Sequence, residues 1–270
     1  MYRLKNFIFY NKKNQKIVFS YLSKNILLQL YLYISQIYKS RDESLFSNSS
    51  TCSRIHLFLQ FHNFKNYLEI GVADGSTIKR VLLSSKTGVD PSPNFLVKDL
   101  DFNMYVMKSK EFFKENTSNF DFIYIDGDHR YETFIHDLVD SLKVLDEKGV
   151  ILVDDVLPSD EVSSFGSFKK SMSESRNRNL NFPRPWMGTV FNIIFLLQNY
   201  KNEIDFYTLH DKNHVQLIIW IKKKFDYDLL LSEKANYTYE DLLKSDLNSL
   251  YRFRTDVEVV NHFKEFLNTN

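Results

Sequence analysis

The chain has one cysteine, Cys52, in 270 residues. That excludes an internal disulfide and any zinc site built on a cysteine cluster, and it is in keeping with a reducing cytoplasm. Glycine and proline are scarce, at seven and five, while Asn, Lys, Phe, Tyr and Ile are plentiful, a compositional habit rather than chemistry. No small-residue cleavage site follows a short apolar core near the start, so no secretory leader is expected. No internal repeat is visible. The apolar run Ile17–Tyr38 is broken by Lys24, Asn25, Gln29 and Gln36, and a lysine at a bilayer centre costs about 2.5–3.5 kcal/mol on insertion scales. A packing or dimer helix is expected there, with a membrane-surface helix as the alternative.

What the chain does have is core material and an uneven charge. Hydrophobic residues make up 43% and aromatics 16%, which excludes global disorder. The net charge is only +1, yet residues 1–66 hold ten Lys/Arg against Asp42 and Glu43. The N-terminal part is basic and the remainder acidic, so a basic arm is available to a membrane, a nucleic acid or the chain's own acidic domain, and also to an anionic glycan or a dimer interface.

From residue 66 a rhythm begins. The spacing predicts strands at Asn66–Gly71, Thr87–Asp90, Phe102–Met107, Phe120–Asp126 and Val150–Asp155. Helices are expected at Ser76–Ser85, Ser109–Asn116 and Tyr131–Gly149. Such alternation implies an α/β fold, a doubly wound, mostly parallel sheet. Two further strands, Glu203–Leu209 and His214–Lys223, flank a turn and predict an antiparallel edge hairpin, seven strands in all. The polar stretch Leu157–Pro185 is expected to be a long loop. Helices are expected at Trp186–Tyr200, Tyr237–Ser245 and Asp256–Leu267. The expected division is 1–53, a basic helical extension and linker, with a short helix then starting near Arg54; 54–230, the catalytic domain; and 231–270, a helical tail.

The chemistry-bearing residues all stand past strand ends, where ligands bind in such sheets. In LEIGVADGST, Gly71 and Gly75 permit a tight turn whose backbone N–H groups face a ligand, and Glu69 can pair with a cationic ligand group. The G-x-G-x-x-G dinucleotide pattern is missing. Asp90 stands about 20 residues on, where an acid accepts from ribose hydroxyls. Asp126, Asp154 and Asp155 end adjacent central strands. Three clustered carboxylates without a counter-charge are costly, and a divalent cation such as Mg²⁺ removes that cost. His129, three residues after Asp126, is the candidate general base. Asp128 is expected to cap the helix near Tyr131.

Together the motifs YLEIGVADGST, GVDPSP, DFIYIDGDHRYE, GVILVDDVLP and PWMGTV, spanning Tyr67–Val190, resemble the class I S-adenosylmethionine-dependent methyltransferases. More closely, they resemble the metal-dependent sugar O-methyltransferases of the macrocin and mycinamicin type and cephalosporin hydroxylase-like proteins. The resemblance implies that Glu69, Gly71, Asp74, Gly75, Ser76, Asp90 and Ser109 bind the cofactor S-adenosylmethionine, that Asp126, Asp154 and Asp155 hold Mg²⁺ or another divalent cation, and that His129 is the base. Ala73, Lys110 and Thr189 depart from the family pattern. The implied acceptor is a small molecule or glycan, in a cytoplasmic homo-oligomer with membrane-surface contact through the basic N-terminal helix and no nucleic-acid partner. A catechol-type diol as acceptor, a nicotinamide oxidoreductase and a non-catalytic binding protein on the same fold are the alternatives.

Overall fold

The computed structural model describes residues 7–10, 16–19, 49–60, 62–98, 100–180, 185–211 and 214–269. The chain divides into two compact units, Met1–His62 and Asn63–Asn270. In the first, β1 (Phe7–Tyr10) and β2 (Lys16–Phe19) pair antiparallel, Phe7 opposite Phe19 and Phe9 opposite Ile17. The helix expected from Ile17 is therefore corrected over Ile17–Phe19, where β-branched and aromatic residues suit a cross-strand ladder. The rest of that expectation, residues 20–38, lies outside the described residues. The helix α1 covers Ser49–Leu59, so the expected boundary between residues 53 and 54 falls within it.

The second unit is built on β3 (Asn66–Ile70), β4 (Ser85–Val89), β5 (Asn103–Tyr105), β6 (Phe120–Ile125), β7 (Leu145–Val153), β8 (Ile204–Asp211), β9 (His214–Ile221) and β10 (Phe253–Arg254). Their order across the sheet is β10-β8-β9-β7-β6-β3-β4-β5. The five strands β5-β4-β3-β6-β7 are parallel, β9 runs antiparallel to β7, and β8 antiparallel to β9. This is the expected doubly wound sheet with its edge hairpin. The addition is β10, two residues parallel to β8. The chain winds outward from β3 to β5 and then returns to β6 on the other side of β3, so the β3/β6 junction is the switch point at which such sheets open a ligand crevice.

The helices are α2 (Ser109–Glu115), α3 (Tyr131–Val144), α4 (Phe168–Asn177), α5 (Asn192–Leu197), α6 (Leu229–Ser232), α7 (Tyr239–Lys244), α8 (Leu247–Tyr251) and α9 (Asp256–Thr269). Alternate residues of each strand serve opposite faces. Ile123, Ile125, Ile151, Val153, Leu217 and Ile219 pack with Leu138, Leu142, Ile193 and Leu197 of α3 and α5. On the other face Phe64 and Trp220 meet Phe263 of α9, and Phe122 meets Phe64 edge-on.

Three expectations are corrected. Residues Ser76–Arg80 form turns, not a helix, and Ser85 already opens β4. The peptide of Ile78 is spent on side chains: its N–H on the Glu69 carboxyl and its carbonyl on the Lys86 ammonium at 3.2 Å. The helix α3 stops at Val144 rather than at Gly149, because Leu145 already pairs with Phe120 in the sheet. The stretch Leu157–Pro185 contains α4, whose Ser167 caps it by accepting from the Lys170 N–H at 3.3 Å. Ser171 and Ser175, one turn apart, are both fully buried.

Candidate active site

Register sets the site. Tyr124 pairs with Leu152 and Glu69, and Ile125 with Val153 and Ile70. Two residues further, the chain ends of β3, β6 and β7 present Gly71, Asp126 and Asp154 side by side. The close approach needs glycine: Gly71 has φ +86°, and a Cβ there would stand 2.0 Å from the Asp126 carbonyl oxygen. The backbone ties are Asp126 N–H to Ile70 O at 2.8 Å and Asp154 N–H to Ile125 O at 3.0 Å.

Asp155 adopts φ +55°, a conformation aspartate tolerates better than most residues. This turn separates two consecutive carboxylates. Asp154 is buried, 6% exposed. Its carboxylate accepts from the Tyr124 hydroxyl, from Gln216 Nε2 at 3.2 Å and from the Asp155 N–H at 2.8 Å. The Asp155 carboxylate instead reaches His129, Oδ2 to Nδ1 3.2 Å. Asp126 Oδ1 lies 3.5 Å from His129 Nε2, and its Oδ2 receives the Tyr124 hydroxyl at 3.1 Å. Tyr124 thus spans Asp126 and Asp154.

The cluster in which ligand atoms converge within 4.8 Å is Asp126, His129 and Asp155. The two carboxylate oxygens suit a hard divalent cation such as Mg²⁺, with the His129 imidazole standing between them. Asp154, expected beside them, holds up Asp126 from behind through Tyr124 instead of joining that cluster.

His129 is gripped from the segment before α5. Its Nδ1 stands 2.6 Å from the Trp186 carbonyl oxygen, and the Trp186 indole stacks on the imidazole at 5.2 Å and 26°. A carbonyl can only accept, so Nδ1 carries the proton and Nε2 is the basic nitrogen of the neutral ring. The His129 carbonyl accepts from the Thr189 N–H at 2.8 Å. Gly188, φ +60°, fits because a Cβ there would stand 2.0 Å from the same carbonyl oxygen. Burial pulls the imidazole pKa down, but the bond to Asp126 and the charge of Asp155 outweigh it and push the pKa up to about 9. Burial and the Asp154 charge in turn push the Asp126 carboxyl up, opposed by His129. Without a metal, the imidazolium itself is the counter-charge between the two carboxylates.

The glycine turn is tied to the second strand. Asp90 follows β4, and its Oδ2 accepts from the Val72 and Ala73 N–H groups at 3.0 and 2.9 Å, its Oδ1 from Ser92 at 2.7 Å. The second lone pair of Oδ1 stays available to a ligand hydroxyl. Asp74 accepts from the Ser76 side chain and from its N–H, the latter at 2.8 Å, and both lower its pKa. Gly75 is at φ +74° and Ala73 at +48°. Glu69, 1% exposed, accepts from the Tyr67 hydroxyl at 2.6 Å. Burial pushes its pKa up to about 8 despite that bond, so it is protonated at neutral pH until a cationic group approaches. Ser109 donates to Asp137 on α3 at 2.5 Å.

Asp128 accepts from its neighbour Arg130, main chain and side chain, and does not cap α3. That task falls to Thr189, whose hydroxyl accepts from the Tyr131 N–H at 2.8 Å. Tyr124 and Gln216 were missed from sequence, and Trp186 and Thr189 entered only within the motif PWMGTV, without a role. Tyr124 reaches Asp126 two residues on, which strand alternation could have shown, but Asp154 across 30; Trp186, Thr189 and Gln216 act across 57, 58 and 62 residues.

The family model described as a methyltransferase domain matches residues 68–156, the stretch from β3 through the two aspartates, and the sheet has the Rossmann-like form of that domain. No curated protein matches the chain. Among solved structures, similar ones include an O-methyltransferase from Bacillus cereus in complex with SAH, at 17% identity and TM-score 0.43, covering 72% of this chain and 96% of that one. Another is the O-methyltransferase TomG from Streptomyces achromogenes in complex with SAM, at 12% identity, TM-score 0.45, and 74% and 99% coverage. A third is SAH-bound PaMTH1 from Podospora anserina, a methyltransferase, at 16% identity, TM-score 0.46, and 74% and 88% coverage. TM-scores below 0.5 leave the residues of this chain to carry the functional reading.

Proposed function

We propose that this chain is an S-adenosylmethionine- and divalent-metal-dependent O-methyltransferase acting on a hydroxyl of a sugar or glycoside. The observation that carries the reading is the convergence of Asp126, His129 and Asp155 beside a glycine turn tied to Asp90. Gly71, Gly75, Asp74 and Ser76 form the cofactor turn; Glu69, Asp90 and Ser109 flank it. S-adenosylmethionine, when bound, offers a sulfonium methyl: the O–C bond forms as the S–C bond breaks, with the electron pair left on sulfur. Asp126 and Asp155 would hold the cation, Mg²⁺ by preference, with Asp154 fixed behind Asp126 by Tyr124. A bound divalent cation gathers acceptor hydroxyls and lowers their pKa. His129 takes the hydroxyl proton on Nε2, with Nδ1–H anchored on the Trp186 carbonyl and Asp155. Alignment and electrostatics account for most of the acceleration. The sugar, rather than a catechol-type diol, is supported by the motif resemblance alone.

The test is methyl transfer from labelled S-adenosylmethionine to cell-extract small molecules. We expect label incorporation with Mg²⁺ or Mn²⁺, loss of at least about a hundredfold on chelation, and recovery on adding metal back. Full turnover in excess chelator would overturn the metal assignment, and calorimetry with S-adenosylhomocysteine against NADH separates this reading from a nicotinamide enzyme.

A further inference from the structure

Beside the imidazole the site turns aromatic. Trp186 lies on His129 and is locked by its own indole N–H, donated to the Phe165 carbonyl at 2.6 Å. Phe168, the first residue of α4, meets that indole edge-on at 5.6 Å and 67°, yet remains 56% exposed. Phe165 carries the Lys170 ammonium 4.3 Å over its ring. His129, Trp186 and Phe168 therefore form a continuous wall that starts at the candidate base and ends in water. A single exposed phenyl ring elsewhere would need no explanation. Here it stands steeply inclined to a ring already immobilised against the imidazole, which makes a two-sided corner. One flat ring can lay its face on one side and its edge on the other. The Lys170 ammonium disfavours a cationic ligand.

Resting on the O-methyltransferase reading, we propose that Trp186 and Phe168 form the acceptor subsite. It takes the apolar face of a six-membered ring bearing adjacent hydroxyls and presents those hydroxyls to His129 and the Asp126–Asp155 pair. A pyranose and a catechol share this chemistry. The subsite selects rings over linear polyols, and Phe168 is its specificity-determining residue.

The chain has two tryptophans, and Trp220 is buried, 1% exposed. W220F leaves Trp186 as the only indole, reporting from the wall itself. We would titrate this protein, with S-adenosylhomocysteine and Mg²⁺ present, with methyl α-mannopyranoside, catechol and sorbitol. Expected is a saturable change in Trp186 emission with the pyranoside or the catechol, whichever is the source of the ring, and none with sorbitol. Adding F168A, or F168L, which keeps bulk and loses the ring, should raise the half-saturating concentration about threefold to tenfold. An equal response to sorbitol, an unchanged half-saturation in both Phe168 variants, or silence toward both rings while calorimetry detects S-adenosylhomocysteine binding would overturn the subsite. Failure of S-adenosylhomocysteine to bind overturns the cofactor reading first, and the subsite with it.

Discussion

The parallel strands carry carboxylates at both ends, and the two ends handle them differently. At the amino ends lies a polar cavity of about 380 Å³, lined by Asn66, Ser85, Asn103, Asn119 and Asp146 among others. The acid beside it, Asp121, accepts the Lys65 and Asn66 N–H groups at 2.5 and 2.7 Å. Burial, with Asp121 adding, raises the Asp146 carboxyl. Two backbone amides deal with the Asp121 charge there. At the carboxyl ends, Asp126 and Asp155 face each other across an imidazole raised to about 9. Gly71 and Asp155 adopt positive φ to keep them there. A carboxylate pair by itself is not a site; a pair whose surroundings require a cation is one.

The comparison is broken most sharply by removing one charge at each end. Asp126→Asn or Asp155→Asn should lower turnover about a hundredfold to a thousandfold, with S-adenosylhomocysteine affinity kept in calorimetry. Asp121→Asn and Asp146→Asn should leave turnover within about twofold. Equal losses at both ends would erase the distinction.

The next effect is on stability. Asp137, buried behind the carboxyl ends and bonded to Ser109, is pushed up from 3.8 to about 6 by burial. Its folded pKa is raised, so the folded state binds this proton more tightly than the unfolded state. The stability this contributes is full below about pH 4 and is lost as pH rises through 6. Asp137→Asn should therefore gain up to about 3 kcal/mol at pH 7.5 and little at pH 4. Urea midpoints at the two pH values measure it, and an equal gain at both would exclude titration as the cause.

The smallest effect concerns the segment that grips His129. Thr189→Val removes the acceptor of the Tyr131 N–H and should cost about 1 kcal/mol, a Tm fall of about 2–4 °C by scanning calorimetry. An unchanged Tm would mean that water replaces the hydroxyl.

Much of this was legible before the fold. The five parallel strands announce themselves as apolar runs, and Gly71, Asp90, Asp126, Asp154 and Asp155 mark their ends. The turns at Ser76–Arg80 were not legible, because whether Ile78 hydrogen-bonds within a helix or to Glu69 and Lys86 depends on chain segments on either side. Nor was α4 within Leu157–Pro185, since burial of Ser171 and Ser175 is a property of what they pack against. Among the described residues, no helix is long and apolar enough to cross a membrane.

The sequence alone determined the five parallel strands, the edge hairpin and which acids stand past the strand ends, because apolar runs and turn chemistry are local. Only the tertiary structure decided how neighbouring acids divide. Asp154 turns to Tyr124 and Gln216 while Asp155 turns to His129. That choice rests on strand register and on one left-handed residue, which set directions that spacing along the chain does not contain.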